Sequence, residues 1–261
     1  MSRQADRRAH FHRIGPIALV VVVGAIALII SLIRSHTIDR FEVMYFIALA
    51  PTIILHEVSH GVVAKWFGDD TAKNAGRLTL NPLKHIDPIG SIVLPIFLLL
   101  AHFPAFGYAK PVPVSVNKLR HPRNQSVFVS LAGPATNLLL AAVSGVAVYL
   151  WIGRGVVCDQ FGTCVTEASV FNVDQSAIVP SFLIALGLVN VVVGAFNLIP
   201  IPPLDGSAVL ERFIPRDLLS GYYRLRRFSI VIVLFFVLFD QGALASLFNL
   251  VERFWLRLVF R

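Results

Sequence analysis

Uncharged and polar stretches alternate along the chain, and their lengths predict a series of membrane helices. Residues 1–15 are polar and basic, and the run from Ile14 to Ile33 then carries no charge. A helix of about 20 residues spans about 30 Å, the thickness of a bilayer's hydrocarbon core. This run is long for the apolar part of a signal peptide, and Arg34 follows it without a small-residue cleavage site, so a retained span is expected at about 14–33. Further apolar blocks run from Val43 to Phe67, Ile89 to Phe106, Val127 to Ile152, Ile178 to Ile199 and Phe228 to Leu250. The stretch 68–88 is polar and turn-rich, with a possible short strand at Leu78–Leu80.

The block from Ile89 to Phe106 is interrupted by Pro95 and Pro104 and bracketed by Gly90 and Gly107. It reads either as a short span or as a re-entrant segment, which survives at membrane depth only where protein covers its backbone. Basic residues favour the second reading. Residues 107–126 hold four Lys or Arg and 207–227 hold five, against one in 154–177. If every block crossed, both basic loops would lie outside, against the tendency of Lys and Arg to remain cytoplasmic. A re-entrant third block returns them to the inside and puts Cys158 and Cys164 outside, where a disulfide is one reading and two unpaired thiols the other. The fold expected is an all-α polytopic membrane protein. It has five to six transmembrane helices, with a re-entrant or short β segment between the second block and the next core helix. A single domain covers 1–261, its core at about 40–215 and extra spans at about 14–33 and 228–250. A turn at Asp240-Gln241-Gly242 leaves the side of the C-terminus open.

Composition supports this picture. Of the 261 residues, 56% are hydrophobic and only 15% are charged, too little charge to cover a water-facing surface, since soluble domains carry about 25%. The net charge of +8 reads as basic residues flanking spans on the cytoplasmic side. A nucleic-acid partner is not expected, because no aromatic residues are interleaved with a basic face. Two cysteines cannot build a disulfide scaffold or a four-cysteine zinc site.

One apolar block carries chemistry. His56-Glu57-Val58-Ser59-His60 has two histidines at i and i+4, so both imidazoles project from one helix face. That spacing suits two ligands of one tetrahedral zinc, and the glutamate beside the first can act as general base toward a zinc-activated water. Two histidines and a glutamate inside hydrocarbon are costly unless they serve a site. A catalytic zinc usually takes three protein ligands, and Asp205 is the candidate third. It follows Pro200, Pro202 and Pro203, which end the fifth block, and Gly206 beside it permits an unusual dihedral. An Asp-Gly pair after prolines is by itself most often a turn; topology changes that judgement. Spans two and five both run outside to inside. His60 and His56 lie about 8 and 14 Å deeper than Lys65 at the inner end of span two, so Asp205 arrives on the same side. His85, beside Asp87, reads as a turn residue or as a contact supporting the site.

With Asn197, Pro200, Leu204, Asp205 and Gly206 closing a later span, His56–His60 on an early one resembles the site-2 protease family of intramembrane zinc metalloproteases. Ala132-Gly133-Pro134-Ala135-Thr136-Asn137 and Gly76-Arg77-Leu78-Thr79-Leu80-Asn81-Pro82 also resemble family motifs. The resemblance covers about residues 40–215. It implies one Zn2+ held by His56, His60 and Asp205, with Glu57 as catalytic base. It also implies that Asn197, and less directly Asn137, holds substrate backbone or shapes the site. Neither a PDZ-like insertion nor a nucleotide-sensing domain is apparent. The partners implied are a transmembrane protein substrate and the bilayer, in a cell membrane crossed several times, with the N-terminus and the opening of the site cytoplasmic. The competing functions are a catalytically silent membrane zinc-binding protein and a transporter. The first is disfavoured by the intact Glu57, and the second by the lack of two related halves with interrupted helices. Oligomeric state is not legible in the sequence.

Overall fold

The computed structural model describes residues 40–87, 90, 110–152, 156–158, 164–166, 178–215, 217–226 and 241–259. These fall almost wholly in one compact unit, 44–261; of the other, 1–43, only Arg40–Val43 is described. The described chain is dominantly helical. Its elements are α1 (Arg40–Trp66), α2 (Thr71–Asn74), α3 (Pro122–Ile152), a two-stranded ribbon of β1 (Val156–Cys158) and β2 (Cys164–Thr166), α4 (Ile178–Asn197), α5 (Ser207–Phe213), α6 (Leu219–Arg226) and α7 (Gln241–Val259).

Three of these helices are long and apolar enough to cross a membrane, at Val43–Trp66, Pro122–Trp151 and Ile178–Asn197. They match the second, fourth and fifth apolar blocks. The expected span at 14–33 and the re-entrant block at Ile89–Phe106 lie outside the described residues, Gly90 apart. Of the sixth block only the part from Gln241 is described, and there α7 begins, where Asp240-Gln241-Gly242 had suggested a turn.

Leu78–Leu80 does not form a strand. Its neighbourhood is bound by local turns instead: Asn81 Oδ1 accepts from Leu83 N at 3.0 Å, capping a 3₁₀ turn at Pro82–Lys84. The short antiparallel ribbon among the described residues lies elsewhere, in the loop between α3 and α4, and pairs Cys158 with Cys164 in register.

Helices in lipid gain little from burying apolar surface against one another and rely on close packing and polar links. The α3–α4 contact, the most extensive in the described structure, fits that rule. Ala141, Val148, Ala185 and Val189 are almost fully buried, and Ser144 Oγ donates to Leu183 O at 2.5 Å. Gly187 makes room for the Trp255 ring of α7, since a Cβ there would stand 2.0 Å from it, and Gly145 makes room for Val259, which a Cβ would meet at 2.6 Å. The indole N–H donates to Ala141 O at 3.0 Å, which satisfies the ring's one polar group. A further polar link crosses from α4 to α1: Asn190 Nδ2 donates to Thr52 Oγ1 at 2.8 Å, and both residues are fully buried.

The C-terminal end of α1 is organised by helix-ending glycines. Gly68, at φ 105°, closes α1 with Asp69 N bonding to Ala64 O and Gly68 N to Lys65 O. Gly76, at φ 63°, closes α2 in the same way, with Arg77 N bonding to Ala72 O and Gly76 N to Lys73 O. Both use the left-handed conformation that a glycine adopts without strain. The chain then returns as an extended segment, Lys110 to Ser115, that lies along α1. Val114 and Leu119 pack there with Ala64, Phe67 and Val129.

Asp69 fastens the end of this segment. Its carboxylate accepts from Ser115 N at 2.6 Å, from Thr71 N at 3.0 Å and from the Thr71 hydroxyl. Burial works to raise the Asp69 pKa, but these hydrogen bonds and the nearby Lys118 outweigh it and hold the group below the usual carboxylate range. A pKa depressed by folding contributes stability that is complete above the unfolded value, about 4, and is lost as pH falls through the folded value. Asp69→Asn is therefore expected to cost about 1–3 kcal/mol at pH 7 and to flatten the acid limb of stability. Thermal unfolding in detergent at pH 7 and pH 4, wild type against variant, checks both; an unchanged acid limb in the variant would contradict the assignment.

Candidate metal centre

The geometry starts from α1. One turn apart, the rings of His56 and His60 meet edge to face with centroids 4.7 Å apart. Asp205 comes from the loop after α4. Its Oδ2 lies 3.0 Å from His56 Nε2 and 3.4 Å from His60 Nε2. One ligand atom from each of the three residues fits within a 4.8 Å group. Both histidines are almost wholly buried, and Asp205 is partly so.

Backbone closure delivers Asp205. Helix α4 stops at Asn197, ahead of the three prolines, and Gly206 N donates back to Asn197 O at 2.7 Å. Gly206 is needed here for space. Its φ of −57° and ψ of −21° are ordinary helical values, contrary to the expected unusual dihedral. A Cβ at this position would lie 2.2 Å from Leu198 O and 2.7 Å from Ile199 O, so the loop could not close on any other residue without moving backbone. Beyond Asp205, Arg123 Nη2 from the start of α3 donates to Arg212 O at 3.0 Å and to Ile214 O at 2.8 Å, which ties down the far end of α5.

The residues fit a metal ion. His60 Nδ1 lies 2.6 Å from Val129 O; a carbonyl only accepts, so the proton sits on Nδ1 and a neutral ring turns its Nε2 lone pair toward Asp205. A lone pair facing a carboxylate oxygen is repulsive unless a cation lies between them. Asp205 Oδ2 is itself buried without a hydrogen-bond partner of good geometry among the described residues. Two imidazole nitrogens and a carboxylate oxygen are a donor set suited to zinc. Space for the ion is kept by Gly133 on α3, where an added Cβ would fall 2.5 Å from His56 Cε1, His56 Nε2 and His60 Nε2 alike.

Glu57 sits beside this group, half-buried, and its Oε2 accepts from Val112 N at 2.8 Å. Asn197 makes no hydrogen bond to His56, His60 or Asp205 among the described residues; its Nδ2 donates to Val193 O of its own helix at 3.0 Å. Asn137 is fully buried on α3, and neither side-chain amide atom has a partner among the described residues. It packs against α4, its Cβ 3.3 Å from the position a Cβ on Gly194 would take. His85 is buried and bonds through Nε2 to Thr79 O at 2.8 Å, a turn role.

Comparison with known proteins accords with this geometry. The sequence model of peptidase family M50 matches residues 44–239. The chain belongs to peptidase family M50. The site-2 protease resemblance of its motifs is thereby borne out. Among M50 relatives, "Putative zinc metalloprotease YwhC" of Bacillus subtilis is 36% identical over 209 residues, which cover 77% of this chain and 85% of the relative. "Putative zinc metalloprotease Rip2" of Mycolicibacterium smegmatis is 32% identical over 205 residues, 76% of this chain and 70% of the relative. The Mycobacterium tuberculosis protein of the same name is 30% identical over 223 residues, 85% and 77%. No solved structure matches the chain significantly.

Three contributors to this M50 site had no role assigned from sequence: the Val129 carbonyl, the Val112 N–H and Gly61. Gly61 follows His60 and opens the notch in which Leu78 and Val112 seat, since a Cβ there would meet them at 2.5 and 2.9 Å. A glycine directly after the second histidine was the available signal. Gly133→Ala is expected to weaken zinc binding about 10-fold or more while leaving the helices intact. Zinc per chain by elemental analysis, with helicity by circular dichroism, is the measurement; full zinc content in the variant would show that the ligands do not lie against Gly133.

Proposed function

We propose that the chain is an intramembrane zinc metalloprotease. It hydrolyses a peptide bond within or near a transmembrane helix of another membrane protein. His56, His60 and Asp205 hold the zinc, and Glu57 is the catalytic base. The observation that carries this reading is the convergence of two Nε2 atoms and one Oδ2 within 4.8 Å, next to Glu57, in a member of a peptidase family. That membership favours cleavage over the zinc-holding and transporting alternatives.

When bound, zinc supplies Lewis-acid polarisation of the scissile carbonyl and makes a water molecule acidic enough to react near neutral pH. Glu57 takes the proton from that water and passes it to the leaving amine. Its Oε2 is fixed by the Val112 N–H, so Oε1 is the oxygen that exchanges the proton. Val129 O holds the His60 ring in the tautomer that presents Nε2. A substrate helix must unwind locally, because its own hydrogen bonds shield each peptide bond. The loop after α4 is suited to receive the extended strand, since Asn197 ends the helix ahead of it and the exposed Ile201 lies on it before Asp205. Asn137, wholly buried against α4, shapes the site from behind.

The protein resides in the cell membrane with the site opening to the cytoplasm. Supporting this orientation are the basic loops at 107–126 and 207–227, which flank the inner ends of the core helices. Glu57→Gln removes the proton acceptor while preserving shape and the Val112 contact. It is expected to retain zinc and lose cleavage by about 10²–10⁴-fold. Co-expression with candidate single-span proteins, comparing fragments from wild type and variant, is the assay. Cleavage at the wild-type rate by the variant would remove Glu57 from its role.

A further inference from the structure

We propose that Arg77 is a positioning residue for Glu57, acting through the peptide unit between Pro111 and Val112. The inference rests on the protease reading above and extends it to a residue more than one loop away from the ligands. Among the described residues the Glu57 carboxylate accepts from the backbone donor Val112 N, at 2.8 Å. That donor is singled out by sequence: Pro111 and Pro113 on either side have no N–H, so Val112 alone can donate over this stretch. The carbonyl of the same peptide unit, Pro111 O, faces the Arg77 guanidinium, with Nη2 at 3.3 Å and also 2.8 Å from Lys110 O. Arg77 Nη1 donates to Lys84 O. One guanidinium therefore clamps three carbonyls from two segments.

A second bond closes the same junction, from Lys110 N to His85 O at 2.9 Å. Arg77 is itself fixed by the glycine turn at Gly76, where its N–H bonds to Ala72 O at 3.0 Å. Gly61 lets the side chain of Val112 seat against α1 directly after His60. The result is a hydrogen-bond chain from guanidinium to carbonyl, through the peptide to N–H, and on to carboxylate. Chains of this kind polarise each member, so a cation on the carbonyl strengthens the N–H as a donor. A lysine carries the charge but not the fork that reaches several carbonyls at once.

The test uses the full chain in detergent or vesicles. Arg77→Ala is expected to lower kcat about 10²-fold, the scale of a misplaced reacting group. KM and zinc content stay at wild-type values, and Arg77→Lys recovers part of the loss. The second readout does not need cleavage. In nitrogen-15 valine-labelled protein, with the Val112 resonance identified by Val112→Ile, the Val112 amide proton is expected downfield in wild type. It moves upfield in Glu57→Gln and, by a smaller step, in Arg77→Lys. An unchanged kcat in Arg77→Ala, a loss accounted for by zinc content or KM alone, or a Val112 amide insensitive to Arg77→Lys would each overturn the proposal. If Arg77→Ala does not fold, Arg77→Lys and the amide shift decide. Failure of the protease reading would look different: wild type would cleave nothing, while the amide would still report whether Arg77 and Glu57 are linked.

Discussion

Placing one carboxylate against two imidazoles inside a low-dielectric bundle is the constraint on which this structure turns. Ionisable groups at membrane depth are expensive and survive when they face one another or a bound ion. Here the approach of Asp205 Oδ2 to two Nε2 atoms, at 3.0 and 3.4 Å, requires three backbones to come closer than side chains normally allow. Gly133 removes the Cβ that would strike the His56 and His60 rings, Gly206 removes the one that would strike Leu198 O, and Gly61 admits the segment bearing Val112. Each glycine solves a separate steric problem around the same few ångströms. In two of them, Gly61 and Gly133, the position lies inside a helix, where glycine costs about 1 kcal/mol of helix stability relative to alanine. That cost is tolerable because packing in the bundle, and not intrinsic propensity, holds these helices together.

Much of this was legible in the sequence, and the parts that were not share a cause. The three core spans, the pairing of His56 with His60 and the arrival of Asp205 on their side follow from local pattern and topology. So does the stop of α4 ahead of Pro200, although it falls at Asn197, two residues before the end of the apolar block. Contacts made by backbone atoms across long separations leave no periodic trace. The bond from His60 to Val129 O spans 69 residues and the one from Val112 N to Glu57 spans 55, and a carbonyl or N–H looks alike at every position. Gly206 shows the related error of attributing a glycine to its dihedral when the reason is a neighbour's carbonyl. The possible strand at Leu78–Leu80 was misleading because its two leucines do separate things: Leu78 seats in the notch at Gly61, and Leu80 is exposed. The one cue to the Val112 donor was negative: two flanking prolines that cannot donate.

The polar segments outside the core helices are equally constrained. Asp69, Arg77 and His85 each bind backbone of the extended segment or of the turns that carry it. Asp69 takes the Ser115 N–H, Arg77 the carbonyls of Lys110 and Pro111, and His85 offers its own carbonyl to Lys110 N. An isolated extended segment at a membrane surface would leave such groups to compete for water. Bound in this way, the segment lies along α1 with its donor facing Glu57. The exposed polar motif Gly76–Pro82 is thereby tied to the buried one at His56–His60, although they share no ligand.

Register between the spans follows from the remaining buried pair. Asn190 meets Thr52 at 2.8 Å, and both helices run from that contact toward the loop that carries Asp205. From Thr52 the helix descends about 9 Å to the level midway between His56 and His60, and from Asn190 about 10 Å to Asn197, at 1.5 Å per residue. The two helices thus reach similar depth where α4 ends, and the bond from Gly206 N to Asn197 O turns Asp205 back toward the histidines. Sliding α4 by one turn would shift its end by about 5 Å, more than the 3.0 and 3.4 Å between Asp205 Oδ2 and the two Nε2 atoms. It would also part the Asn190 amide from the Thr52 hydroxyl, both of them fully buried. The Asn190 amide thus helps to set the height at which Asp205, fifteen residues further along the chain, can meet His56 and His60.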